Sequence, residues 1–221
     1  MTAVTDLVEV VDRLLAPDGG CVWNRAQTHA SLARYAVEES YELVDAIDSG
    51  DDDDLREELG DVLYQVVLHA GLAAAQGRFD LEDVAAGARD KMVRRHPHVF
   101  GAERADTEAE VVRVWRAAKS AEKASRTSVL DGVPRAMPPL ERAVKLLERL
   151  EERGDAATVV AAVTSAAAPA EGSRSEGAVD DRWWGAGMLA EVAAAREAGI
   201  DVVASLRDAV TRLEAGARVG E

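Results

Sequence analysis

The sequence of 221 residues predicts an all-α protein. Apolar residues recur at three- and four-residue spacing in each segment long enough to show a period, as one face of a helix does. Strong stop signals, Pro17-Asp-Gly-Gly20, Gly50, Gly77 and His96-Pro-His98, fall between those segments. Carboxylates also pair three residues apart, Glu39 with Glu42 and Glu58 with Asp61, and that spacing puts two side chains on one face only in a helix.

Taken in order, Leu7, Val8, Val10, Val11, Leu14 and Leu15 predict a short amphipathic helix over residues 5–15, followed by an irregular loop, Cys21 to Gln27. Thr28 or Ser31 is placed to cap the next helix, which runs to about Ser49 before Gly50. Its apolar stripe is Leu32, Ala36, Leu43, Ala46 and Ile47, with Glu39 inside the stripe and Glu42 at its edge. A carboxylate directed at a core is costly unless paired or metal-bound, so Glu39 predicts function or an ion pair. The run Asp51 to Asp54 reads as a solvated turn, with Asp54 and Glu57 forming a capping box for a helix over 55–76. That helix is apolar almost all round, which predicts a central, buried position. Glu58 and Asp61 then fall in its first two turns, where the helix dipole favours the ionised forms. Asp80 caps a helix from Leu81 to about Arg95, and Thr107-x-x-Glu110 opens another with Val111, Val114, Trp115 and Ala118 inside.

Residues 1–126 therefore read as one helical domain and 127–139, with Gly132, Pro134, Pro138 and Pro139, as a connector. Residues 140–221 read as a degenerate second helical half. It holds a helix over 140–153, a flexible linker at about 164–180 and a final pair at about 183–198 and 201–215. The final pair resembles the centre: Gly60-Asp61 aligns with Gly185-Ala186 and Gly77 with Gly199, after a three-residue shortening. Trp183 and Ala186 then stand where Glu58 and Asp61 stand, so packing positions survive and carboxylates do not.

Charge narrows the function. The net charge of −15 argues against gripping a nucleic acid backbone. No run approaches the roughly 18 apolar residues of a membrane span, the start of the chain does not read as a signal peptide, and Cys21 is the single cysteine. The expectation is a cytoplasmic protein without membrane or nucleic acid partners. Residues 36–61 hold twelve acids against Arg56, whereas residues 89–126 hold ten Lys or Arg against six acids. Such polarity suits a metal bound by one segment and a polyanion held by the other. Two antiparallel helices would bring Glu39, Glu42, Glu58 and Asp61 together, and four carboxylates that close call for a hard, oxygen-seeking divalent ion such as Mg2+, with Mn2+ as a substitute.

These residues resemble the MazG family of nucleoside triphosphate pyrophosphohydrolases over roughly residues 5–140. The family's Glu-Glu-x-x-Glu and Glu-x-x-Asp motifs are matched by Glu38-Glu39-Ser-Tyr-Glu42 and Glu58-Leu-Gly-Asp61. Gln27-Thr-His29, Gly77-Arg-Phe-Asp80, Lys91 to Phe100 and Trp115-x-x-x-Lys119 also match. The resemblance implies a helical bundle of the all-α NTP pyrophosphohydrolase type, a homodimer or larger, and Mg2+-dependent cleavage of (d)NTPs to NMP and pyrophosphate in clearing the nucleotide pool. It implies Glu39, Glu42, Glu58 and Asp61 as metal ligands, Lys91, Arg95 and Lys119 as phosphate contacts, and Trp115 beside the nucleotide. Two departures stand out: the family's Cys-Pro-Trp-Asp loop is Cys21-Val-Trp23-Asn24 here, and a second carboxylate set is missing.

Phosphoanhydride hydrolysis needs positioning and charge neutralisation more than covalent help. Glu38 and Glu39 are the best-placed general bases for the attacking water. Two rivals differ in testable ways. A di-iron carboxylate bundle requires Glu-x-x-His, and none of the four histidines has a Glu three residues before it. A non-catalytic helical adaptor that binds a basic partner through the acidic face would neither take Mg2+ there nor release pyrophosphate.

Overall fold

The computed structural model describes residues 2–122, 127–168 and 181–218, and these are helical with no strand among them. The chain divides into two compact units, Met1–Glu122 and Lys123–Glu221.

The first unit is built on a helical hairpin. α1 (Ala3–Leu15), capped by Thr2, leads into α2 (Val22–Arg25), a single turn where an irregular loop was expected. α3 (His29–Ser49) starts at a capping box of Thr28 and Ser31 and stops at Gly50, whose φ of 73° is the left-handed conformation that glycine supplies at a helix C-terminus. α4 (Asp52–Ala74) returns antiparallel to α3. It is capped by Asp51, which accepts from the backbone of Asp53 and Asp54, so a one-way side-chain cap three residues earlier replaces the expected Asp54–Glu57 capping box. The earlier start moves Glu58 and Asp61 into the second and third turns, where the dipole's support has faded. α5 (Leu81–Arg95) begins at an Asp80–Asp83 capping box, α6 (Pro97–Phe100) is one turn, and α7 (Glu108–Ala121) opens at the anticipated Thr107–Glu110 box.

α4 packs against α1, α3 and α5. Val11, Leu32, Val67, Leu68 and Leu72 are buried together, with Leu7, Tyr35 and Tyr64 against them. Gly71 lets α1 approach: a Cβ there would sit 2.9 Å from Val11 Cγ1. The expectation that α4 is buried along its whole length holds only for its last turns, from Val67 to Ala73. Leu59, Leu63 and Val66 are 39–52 % exposed, because α1 and the core side of α3 cover one flank of the helix. Ile47 of the expected α3 stripe is likewise exposed at 57 %.

The second unit contains α8 (Pro139–Arg153), α9 (Ala156–Ala167), α10 (Asp181–Glu197) and α11 (Val202–Arg218). Helix α9 was not anticipated; most of it precedes the stretch expected to be linker, and its last residues, 164–167, enter that stretch. Its alanines and valines show no polar face from which a period can be read. The rest of that stretch, 169–180, lies outside the described residues. α10 packs mainly on α9 and secondarily on α8.

Candidate metal and phosphate site

The α3–α4 hairpin brings three of the four expected carboxylates to one place. Glu39, Glu58 and Asp61 each offer an oxygen, and these oxygens lie within 4.8 Å of one another. Their positions follow from the helical period. Glu58, Asp61 and Gln65 form one stripe of α4, and Glu39 faces it from α3. Gln65, buried and unforeseen, donates from Nε2 to Glu39 Oε1 at 3.1 Å. Its signal in the sequence is a single polar residue within an apolar run. The amide orients Glu39 and leaves the carboxylate its other lone pairs.

Electrostatics show what the cluster lacks. Loss of hydration raises the Glu58 carboxyl above the usual carboxylate range, and the charges of Asp61, Glu57, Glu39 and Asp54 add to this. The ionised form is therefore disfavoured at Glu58, opposite to the expected action of the helix dipole. Glu42 is raised as well, first by loss of hydration, then by its contact with Glu39 and the charges of Glu58, Glu39 and Glu38. Glu42 thus borders the cluster without joining the close group of three. Glu38 is exposed on the neighbouring face and stands outside that group. Glu58 Oε2 is buried without a hydrogen-bond partner. A buried acceptor without a donor costs about 1–3 kcal/mol, more when charged. Hard oxygen donors, mutual repulsion and an unsatisfied buried oxygen together fit a divalent cation of the Mg2+ or Mn2+ class.

The expected cationic residues gather elsewhere in the same unit. On α5 and α7, Arg95 and Lys119 flank the ring of Trp115, with Arg95 Cζ 5.4 Å and Lys119 Nζ 4.5 Å from its centroid. Lys91 is exposed one turn before Arg95. Glu122 was not anticipated in this group. Its Oε2 accepts from Arg95 Nη2 at 2.7 Å and Nε at 3.0 Å, and its Oε1 from Arg94 Nε at 3.2 Å. The hydrogen bond from Arg95 holds the Glu122 carboxyl below its ordinary range. Among the described residues α7 packs on α5 and α6 and not on α3 or α4, while α5 packs on α4. The acidic and cationic groups therefore sit on two helix pairs joined through the α4–α5 contact.

His29 and His69 also meet, with Nδ1 atoms 2.8 Å apart and rings stacked at 5.1 Å. Forty residues of separation hid this pair from any reading of local spacing. Asn24, from the loop that departs from the family pattern, is buried below Tyr64.

Residues 27–100 match the family model described as the MazG nucleotide pyrophosphohydrolase domain. The chain is 44% identical over 156 residues, 70% of its length, to the nucleoside triphosphate pyrophosphohydrolase of Escherichia coli K12. It is 43% identical over 147 residues, 66% of its length, to the nucleoside triphosphate pyrophosphohydrolase/pyrophosphatase MazG of Thermotoga maritima. It is 50% identical over 151 residues, 67% of its length, to an uncharacterized 26.1 kDa protein of Streptomyces cacaoi. The chain spans 59%, 54% and 61% of these three relatives' own lengths.

Proposed function

We propose that this chain, whose residues 27–100 match the MazG nucleotide pyrophosphohydrolase domain, hydrolyses (d)NTPs to the monophosphate and pyrophosphate in a Mg2+-dependent reaction. The observation that carries the reading is the convergence of Glu39, Glu58 and Asp61 oxygens within 4.8 Å, with Glu58 Oε2 buried and unpartnered. Those three residues, with Glu42 beside them, would hold the ion. When bound, Mg2+ supplies charge neutralisation on the phosphates and acidification of water.

The chain's own groups account for the remaining requirements. Gln65 fixes Glu39, so little reorganisation is needed when substrate arrives. A carboxylate not committed as a ligand, Glu38 or Glu39, accepts the proton of the attacking water. Lys91, Arg95 and Lys119 offset charge on the departing pyrophosphate, and Trp115 keeps the latter two cations aligned through its ring face. Glu122 takes two of the five N–H donors of Arg95, so a phosphate would share the guanidinium with an internal carboxylate. The exposed apolar residues Leu59 and Leu63, adjacent to the carboxylate stripe, support a homodimer whose second copy covers that flank.

The test is pyrophosphate release from all eight common nucleoside triphosphates, with and without Mg2+. Release that depends on the ion supports the reading. A protein that binds no Mg2+ and releases no pyrophosphate from any of them overturns it.

A further inference from the structure

Beyond the carboxylates, the groove between α3 and α4 continues into a cavity of about 370 Å3. It lies along the same stripes as the acidic site. On α4 the series Glu58, Val62, Gln65, Val66, His69 follows one face, and on α3 Ala36 stands one turn from Glu39. From Asp61 to His69 is about 12 Å along the helix axis at roughly 1.5 Å per residue. Gln65 belongs to both places, lining the cavity and hydrogen-bonding Glu39. The walls are mostly apolar (Ala36, Val66, Ala70, Phe79), with Ser40, Gln65 and His69 as polar points.

The hydrogen-bonding state of His69 can be deduced. Arg78 contacts His29 Nε2. A guanidinium only donates, so that nitrogen must accept and the ring hydrogen of His29 sits on Nδ1. His29 Nδ1–H then donates to His69 Nδ1 at 2.8 Å, which leaves the hydrogen of a neutral His69 on Nε2. Burial, and secondarily His29, lowers the pKa of His69 and favours that neutral form. Arg78 thus fixes, through His29, the tautomer in which His69 Nε2 is a hydrogen-bond donor at the cavity. Ser40 Oγ spends its hydrogen on Ala36 O at 2.6 Å and keeps its lone pairs. One N–H donor, one hydroxyl acceptor and the unpartnered amide oxygen of Gln65 in an apolar cleft, with the aromatic Phe79 in its wall, suit a flat heteroaromatic ring bearing polar edges.

The geometry points to this cavity as the pocket for the nucleobase of the substrate, with His69 as the residue that reads its edge. This rests on the nucleotide reading above and adds where the base goes. Phosphates lying on the carboxylate-held cation place the rest of the nucleotide along the same groove, towards His69.

The experiment uses the full chain with two substitutions, His69→Leu to remove the donor and Ala36→Leu to fill the cavity from the other helix. Binding of non-hydrolysable nucleoside triphosphate analogues of each base is measured by calorimetry with Mg2+ present. Inorganic tripolyphosphate serves as the base-free probe, and circular dichroism checks the fold. Both variants are expected to weaken analogue binding about tenfold or more, and His69→Leu to change the order of preference among bases. Tripolyphosphate and Mg2+ affinities should stay within about twofold of the parent. Unchanged analogue binding and base order in both variants, or a parallel loss of tripolyphosphate binding, overturns the assignment. Failure of the parent chain to release pyrophosphate would count against the hydrolase reading alone, because the binding comparison does not need turnover.

Discussion

The two units each contain a helix pair packed along its length, α3 with α4 in the first and α9 with α10 in the second. In the first pair the facing stripes carry Glu39, Glu58 and Asp61, whose charges lack cationic partners within the group. In the second, α9 is Ala-Ala-Thr-Val-Val-Ala-Ala-Val-Thr-Ser-Ala-Ala, and Ala186 of α10, buried at 6 % exposure, aligns with Asp61. Among the described residues of the second unit, Glu148, Glu151, Asp155, Asp208 and Glu214 are each paired with a Lys or Arg. Glu151 of α8 accepts a two-point fork from Arg196 of α10, at 3.1 Å and 2.9 Å, the geometry in which Arg pairs most strongly with carboxylate. Two helices can therefore pack without any of the carboxylates, and in the first pair these residues work against packing. That groups costing stability are placed by two separate helices is the physical argument behind the proposed ligand.

The most direct way to break the comparison is to make α4 resemble α10. Glu58→Gln and Asp61→Asn keep shape and remove charge. Each is expected to leave helicity intact, to keep or raise the midpoint of thermal unfolding without divalent ion, and to lower pyrophosphate release by about a hundredfold or more. Activity retained in both would remove the metal-site reading, and a large loss of helicity would show that the carboxylates hold the pair together.

A smaller effect is expected at Gln65, which touches the cation only through Glu39. Gln65→Leu preserves volume, removes the donor to Glu39 and also removes the buried, unpartnered Gln65 Oε1. Mg2+ affinity and turnover should fall by about 10–100-fold, the usual range for residues that orient a ligand. Stability should be unchanged or higher. A variant with parental Mg2+ affinity would show that Glu39 needs no orienting amide.

How much of this was legible in the sequence divides along the same line. Periodicity, caps and stops give the long helices of the first unit to within a few residues, because each depends on neighbours in the chain, whereas the single turns α2 and α6 were expected as a loop and a break. Thr28, Asp80 and Thr107 all cap as their side chains dictate. The carboxylate stripe was legible because i,i+3 spacing is local, and its convergence followed from the short Gly50 turn. What escaped depends on distance in the chain or on uniformity of composition. The His29–His69 pair and the Arg95–Glu122 contact join residues 40 and 27 apart. The exposed flank of α4 could not be seen because apolar residues look alike whether a neighbour or a second subunit covers them. Helix α9 lacked polar punctuation altogether.

Acid should separate the units by sign. Glu58 and Glu42 are raised in the fold, so between the ordinary carboxylate range and their raised values the folded state holds protons that the unfolded chain has released. The stability of the ion-free first unit therefore falls as pH climbs through that window. Glu151 is lowered by its hydrogen bond from Arg196, so its contribution is present above the ordinary range and lost as pH falls through the depressed value. Because Mg2+ requires ionised carboxylates, its thermal stabilisation should be several-fold larger at pH 8 than at pH 5. Equal stabilisation at both would mean the ion binds elsewhere. This is measured by differential scanning calorimetry with and without Mg2+.

The smallest effect sharpens the comparison at its two aligned glycines. Gly60 of α4 and Gly185 of α10 both lie inside helices, and a Cβ added at either meets nothing within 4 Å. Glycine in a helix interior costs about 0.5–1 kcal/mol relative to alanine, through the backbone freedom it loses on folding. Gly60→Ala and Gly185→Ala should each stabilise the chain by about that amount, read as a rise in the urea midpoint with unchanged slope. Gly71, which has no such space, is the control. Its added methyl would press on Val11 Cγ1 at 2.9 Å and Leu15 Cδ1 at 3.0 Å, so Gly71→Ala should destabilise by about 1–3 kcal/mol, as overpacking does. If Gly60→Ala stabilises yet lowers turnover where Gly185→Ala does neither harm nor good to it, the open space above Gly60 is needed by the substrate. If both are silent in activity, that position is a scaffold glycine in both units, and the difference between the helix pairs reduces to the carboxylates.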